Sequence, residues 1–207
     1  MTELSLNKPI PNITLSNQLD LLFEIYKLRI VRKKLTSKLE FFEKSLKSGH
    51  VANNGYKFKA LKSVITENSN RLKTLVANVK PDCNLFDFTK NLIEYGIYIE
   101  NLVKERKKRN IDLETFELTK GHYLQKILDT QENLKQLKVN ATDYYDELRN
   151  DLIRFEDQRI RLTTEKLKKK ITKDEFKEKS REIENLKQEV EDKLAFLKVE
   201  ILDYKFD

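Results

Sequence analysis

Three turn sequences recur at a fixed interval, and this interval restricts the fold more than any other feature of the chain. Val51, Ile111 and Ile171 stand 60 residues apart, each within a segment that favours a turn. Each of them is followed five positions later by an aromatic residue, and these are Tyr56, Phe116 and Phe176 in turn. A fixed period across apolar positions predicts a tandem array of similar supersecondary units.

Each unit has the pattern of a helix, a tight turn and a second helix. After the third turn, apolar residues are spaced by three, four or seven positions: Phe176, Ile183, Leu186, Val190, Leu194, Leu197, Ile201 and Tyr204. This spacing makes one apolar stripe along a helix, and a short connection makes two such helices antiparallel. The sequence therefore predicts an all-α fold of three tandem antiparallel helical hairpins, about six helices, packed side by side as in coiled coils.

The second and third turns also carry the residues that begin a helix. In each turn, a polar residue that can cap the helix is followed by an acidic residue. An apolar residue before the cap can pack against an aromatic residue at the start of the helix, as in a hydrophobic staple. These cap and staple residues are Ile111, Asp112 and Phe116 in the second turn and Ile171, Thr172, Glu175 and Phe176 in the third. The pattern predicts that a helix starts immediately after each turn.

Prolines and turn residues suggest where the units begin and end. Pro9 and Pro11 lie in an opening segment without helical periodicity, and Pro81 marks a second break. We predict a flexible N-terminal tail over residues 1–15 and hairpins over residues 16–79, 80–139 and 140–207. The spacing leaves open whether the helix breaks between Val139 and Thr142 or runs through them.

Positive charge is concentrated in the first part of the chain. Residues 1–80 hold 15 Lys and Arg against 6 Asp and Glu, whereas the whole chain has a net charge of only +7. The candidate residues of a basic binding patch are Lys27, Arg29, Arg32, Lys33, Lys34, Lys38, Lys44, Lys47, Lys57 and Lys59. Such a patch suits nucleic acid, an anionic membrane or an acidic protein, and the sequence does not distinguish among them.

No motif of catalysis, cofactor binding or metal binding is found. His50 and His122 are the only histidines, and neither has a zinc-ligand spacing with Cys83. Cys83 is the only cysteine, so no intrachain disulfide can form and a reducing compartment fits. We expect a non-enzymatic protein without cofactor or small-molecule substrate, located in the cytoplasm or at the periphery of a membrane.

Two of the turns resemble a known helical hairpin. The segments Arg109 to Phe116 and Lys169 to Phe176 combine a basic helix end, an Ile, a cap residue and a Phe. In this they are similar to the steadiness-box hairpin of the ESCRT-I endosomal sorting complex, whose core joins three hairpins from three subunits. The resemblance implies a scaffold in ubiquitin-linked membrane sorting or remodelling, with other sorting-complex subunits as partners.

The sequence as a whole favours a helical scaffold for protein–protein assembly, with other subunits or a second copy of the chain as partners. The alternative is a basic coiled-coil protein that binds nucleic acid or an anionic membrane surface through its first hairpin. The scaffold hypothesis depends on the repeated hairpins, and the alternative hypothesis depends on the basic first third of the chain.

Overall fold

The computed structural model describes residues 15–47 and 54–204, and these residues are almost entirely helical. The α-helices are α1 (Leu15–Lys47), α2 (Asn54–Ala77), α3 (Leu85–Lys107), α4 (Leu113–Leu167) and α5 (Lys173–Phe196). A 3₁₀ turn at Pro81–Cys83 precedes α3, and a π-helical segment at Leu197–Leu202 follows α5. No strand occurs in these residues, so the predicted all-α class is confirmed for the described chain.

The chain divides into two compact units between Lys80 and Pro81. The predicted division into three hairpins and an N-terminal tail stays a prediction, and residues 1–14 and 48–53 lie outside the described part of the chain. The predicted tail and the first turn therefore fall largely among residues whose structure is not described.

The first unit is built from α1 and α2, which pack against each other. Two contacts establish that they are antiparallel, because each joins the start of α1 to the end of α2. The backbone N–H of Lys80 donates to Gln18 Oε1 at 2.9 Å, and Arg71 lies 3.9 Å from Glu24. The α2 residues on the packed side recur at helical spacing, and they are Phe58, Leu61, Ile65, Asn68 and Leu72.

In the second unit, the 55-residue helix α4 packs against α3 and against α5. The side chain of Tyr123 on α4 contacts two rings of α3, with its ring centroid 6.1 Å from that of Tyr95 and 5.3 Å from that of Tyr98. Farther along α4, Lys187 of α5 donates to Glu156 at 2.5 Å. At 1.5 Å per residue α4 is about 80 Å long, long enough to carry both partner helices.

Helix α4 runs without a break through residues 139–142. Leu134, Leu137 and Ala141 are fully buried there, and this stretch contains no proline or glycine that would end a helix. The described residues therefore form five α-helices, and not the expected six, because the second arm of the predicted hairpin 2 and the first arm of hairpin 3 are one helix.

The core of the second unit lies at the middle of α4. The π-helical segment packs against α4, and its Leu197 and Ile201 are as completely buried as Leu134. Lys138 of α4 donates from Nζ to the backbone oxygen of Tyr204 at 2.5 Å. Residues 197–204 are thus held against the centre of the long helix. None of the described helices is long and apolar enough to cross a bilayer.

Candidate functional site

The second and third turns have the same backbone structure at an offset of 60 residues. Arg109 and Lys169 both have positive φ, 62° and 54°, in the left-handed region that ends many helices. The next N–H closes each turn: Asn110 donates to Glu105 O at 3.1 Å, and Lys170 donates to Glu165 O at 2.9 Å. For the second and third turns, the sequence period thus corresponds to a repeated helix-ending turn.

The helices after these turns begin with the cap residues that the sequence singles out. Asp112 accepts from the Thr115 N–H at 2.7 Å, which lowers the pKa of its carboxyl group. Thr172 and Glu175 form a capping box, in which each accepts from the backbone N–H of the other. The hydrogen bond from the Thr172 N–H lowers the pKa of Glu175. These groups therefore have a structural task at the helix starts.

The staple residues Ile111, Phe116, Ile171 and Phe176 are half-buried. Lys166 Nζ lies 3.9 Å from the centre of the Phe176 ring, while Arg106, its counterpart at the second turn, donates to the backbone oxygen of Ile111 at 3.0 Å. Tyr56 differs from the other two aromatics of the period, because 87% of its surface is exposed. The half-buried staple residues therefore take part in the packing at the second and third turns.

The predicted basic patch divides into separate surfaces in the structure. At 100° per residue, Lys27, Lys34 and Lys38 lie along one side of α1, and Arg29, Arg32 and Lys33 lie together on the opposite side, where they line a groove with Glu40. Lys27 is half-buried and pairs with Glu24. Lys44, Lys57 and Lys59 are exposed, and the side chain of Lys47 lies outside the described part. The ten residues therefore do not form one continuous site.

The side of α1 that carries Lys27, Lys34 and Lys38 also carries exposed apolar residues. Lys27, Val31, Lys34, Lys38 and Phe41 follow one another at spacings of four and three residues and form what we call the cationic row. Val31 is 44% exposed and Phe41 is 67% exposed. A count of charges along the sequence does not reveal this row, because the residues share a side only when they are placed on a helix. The signal in the sequence is their spacing of four and three residues.

A second surface missed from the sequence lies on α4. Ile153, Ile160 and Leu167 are seven residues apart and are 62%, 63% and 78% exposed; we call them the outer row of α4. Phe155 and Leu162 belong to the apolar stripe of α4 that faces α5. Ile153 and Ile160 each stand two positions before one of these residues, which is a rotation of about 200° around the helix axis. Helix α4 is therefore apolar on two nearly opposite sides.

Possible metal ligands do not cluster in the part of the chain that the structure describes. No group of three or more His, Cys, Asp or Glu within this part of the chain is placed to hold a metal ion. His122 is exposed beside the ring of Tyr123, and Cys83 is buried. His50 falls outside the described residues. The candidate sites are thus surfaces, and the outer row of α4 and the cationic row are the two best defined.

No family model, curated protein or solved structure matches this chain. Function must be inferred from these two surfaces.

Proposed function

We propose that the protein is a non-enzymatic helical scaffold that binds a helix of a partner protein along the outer row of α4. The observation that carries this proposal is the exposure of Ile153, Ile160 and Leu167 at a strict seven-residue spacing. Apolar residues at this spacing form a straight stripe on a slightly supercoiled helix, which is how helices recognise one another.

The internal packing of α4 supports the same conclusion. Its inner side is already covered by α5, through buried Leu148 and Leu162. The residues around the outer row include both signs of charge, such as Arg149, Arg154 and Asp157, which are exposed. An apolar stripe with a mixed charged rim is typical of a protein interface, since the rim sets orientation and the stripe is desolvated.

We also propose that this assembly is of the ESCRT-I-like kind, with sorting-complex subunits as partners in membrane sorting or remodelling. The support for this is the likeness of the turns at Arg109–Phe116 and Lys169–Phe176 to the steadiness-box hairpin. A stiff helix of about 80 Å that packs with two others is a suitable scaffold for such a complex. The protein would then act in the cytoplasm or at the periphery of a membrane.

The test is affinity purification from native cells with the wild-type chain and with Ile153→Lys/Ile160→Lys, each with and without nuclease. We expect a protein partner that survives nuclease and is lost with this double variant. The matched control is Leu124→Lys/Leu128→Lys, because these leucines are exposed on the same helix and lie outside the row. The partner is then purified and its binding to the three chains is measured directly.

Sedimentation equilibrium of the purified chain tests whether the partner is a second copy. Concentration-dependent dimerisation that disappears in Ile153→Lys/Ile160→Lys would show that the partner is a second copy of the chain. If both double variants retain every interaction of the wild type, the outer row is not an interface and the proposal fails. Recovery that depends on nucleic acid would instead favour the basic coiled-coil alternative.

A further inference from the structure

The cationic row of α1 combines positive charge with exposed apolar groups. Its lysines alternate with Val31 and Phe41, and both apolar side chains are accessible to solvent. Glu40 is the only acidic residue between Lys27 and Phe41. It stands two positions after Lys38, a rotation of about 200° around the helix axis, and therefore lies on the other side of α1. The middle of the row is therefore free of negative charge.

Helix α2 extends this surface. Arg71 lies 3.9 Å from Glu24, which also pairs with Lys27 at the start of the row, so Arg71 is on the same side of the hairpin. Lys57 and Val64 precede Arg71 at intervals of seven residues and share its side of α2, where exposed Glu67, four residues before Arg71, adds one negative charge. All three are exposed. We call the cationic row together with Lys57, Val64 and Arg71 the hairpin face.

The chemistry of the hairpin face fits one kind of partner best. Lysines with exposed valine and phenylalanine between them match the boundary of an anionic bilayer, where phosphate groups lie directly above hydrocarbon. Long lysine side chains can reach the phosphates while shorter apolar side chains enter the hydrocarbon. Nucleic acid would use the charges and could stack on Phe41, but Val31 and Val64 can neither stack nor donate a hydrogen bond.

We propose that the hairpin face of α1 and α2 binds the surface of an anionic lipid membrane, with Lys34 and Lys38 on the headgroups and Phe41 inserted at the interface. This site goes beyond the proposed protein-binding function, because it uses none of the residues of the outer row of α4. The two proposals can therefore fail separately.

Binding of the full chain to vesicles tests the electrostatic part. The chain should sediment with vesicles of phosphatidylcholine and phosphatidylserine and not with pure phosphatidylcholine, and added salt should release it. Lys34→Gln/Lys38→Gln should weaken binding by roughly 25-fold, at about fivefold for each lysine. Lys168→Gln/Lys177→Gln removes the same charge from exposed positions of the second unit and should leave the affinity unchanged.

Fluorescence tests insertion directly. The chain has no tryptophan, so Phe41→Trp provides a single reporter at an exposed position. Its emission should shift to the blue on addition of anionic vesicles, as the indole leaves water. Ile160→Trp, which is exposed to a similar degree on α4, should show no shift. Phe41→Ser should bind vesicles about tenfold more weakly, because an apolar contact is lost.

Three results would overturn the proposal. Equal loss of binding in the two lysine double variants would show a nonspecific charge effect. Vesicle binding without a blue shift of Phe41→Trp would show that the hairpin face is not the surface in contact. Tight binding of a duplex or single-stranded oligonucleotide that depends on Lys34 and Lys38, without vesicle binding, would assign the face to nucleic acid. Circular dichroism of every variant confirms that the helices are retained.

Discussion

Arg109 and Lys169 end their helices in the same left-handed conformation, with φ of 62° and 54° at positions 60 residues apart. In both turns the backbone N–H of the next residue donates to the carbonyl oxygen five positions before it. Asn110 donates to Glu105 O, and Lys170 donates to Glu165 O. Most helices that end this way place glycine at this position, because a Cβ atom disfavours positive φ.

Replacing Lys169 by glycine should therefore stabilise the protein. We expect Lys169→Gly to raise the free energy of unfolding by up to about 1 kcal/mol, measured by urea titration with circular dichroism. The control is Lys177→Gly at an exposed position inside α5, which should cost about 1 kcal/mol. Equal destabilisation by both substitutions would show that Lys169 does not adopt positive φ in solution.

The capping box at the start of α5 gives a second prediction. The Thr172 hydroxyl oxygen accepts from the Glu175 N–H at 3.2 Å, and alanine would leave this N–H without its partner. Thr172→Ala should lower the free energy of unfolding by about 1 kcal/mol. Thr163→Ala, in the interior of α4, removes only a hydroxyl that donates to Arg159 O one turn back. It should have no destabilising effect, since alanine is the better helix former.

The same box makes stability depend on pH. Hydrogen bonds from Thr172 lower the pKa of the Glu175 carboxyl group below its usual value of 4.5. A carboxyl group with a lowered folded-state pKa contributes stability above its unfolded-state pKa and loses it as pH falls through the folded-state pKa. Glu175→Gln keeps an oxygen for the cap but does not titrate. The Tm advantage of wild type over this variant should therefore shrink as pH falls below 4.5, and a constant difference would contradict the prediction.

A buried amide in the first unit leads to a fourth prediction. Asn68 is buried on the packed side of α2, and its Oδ1 has no hydrogen-bond partner among the described residues. An unpaired buried oxygen costs about 1 to 3 kcal/mol. Asn68→Leu should raise the free energy of unfolding by an amount in that range, whereas Asn70→Leu at an exposed site should change it little. A destabilised Asn68→Leu would indicate that the amide is paired in solution.

Local turn chemistry could be predicted from the sequence, and the packing of distant surfaces could not. Thr172 and Glu175 interact across three residues, so their spacing alone indicates a capping box. The distribution of the basic residues over α1 depends on helix rotation, which separates Arg32 from Lys34 although they are close in sequence. The outer row of α4 is hard to see in the sequence because Ile153 and Ile160 stand only two positions from Phe155 and Leu162, which face α5 from nearly the opposite side of the helix.

The continuity of α4 was left open by the sequence for a physical reason. Asn140 and Thr142 are poor helix formers, and propensity there gives no clear preference. Buried Leu137 and Ala141 decide the outcome through packing, which is a tertiary effect. The middle of α4 is also where the core of the second unit lies, so a break at this point would separate the two ends of that unit.

Substitution of Asn140 by proline tests this continuity. Proline in a helix interior removes one hydrogen bond and clashes with the preceding turn, so Asn140→Pro should cost about 3 kcal/mol or more. Asn140→Ala is the control and should cost little, because it removes only the contact of Asn140 Oδ1 with Gln136 at 3.2 Å. Urea unfolding followed by circular dichroism measures both variants. If Asn140→Pro is as stable as Asn140→Ala, residues 139–142 form a loop in solution, and residues 15–47 and 54–204 contain six helices instead of five.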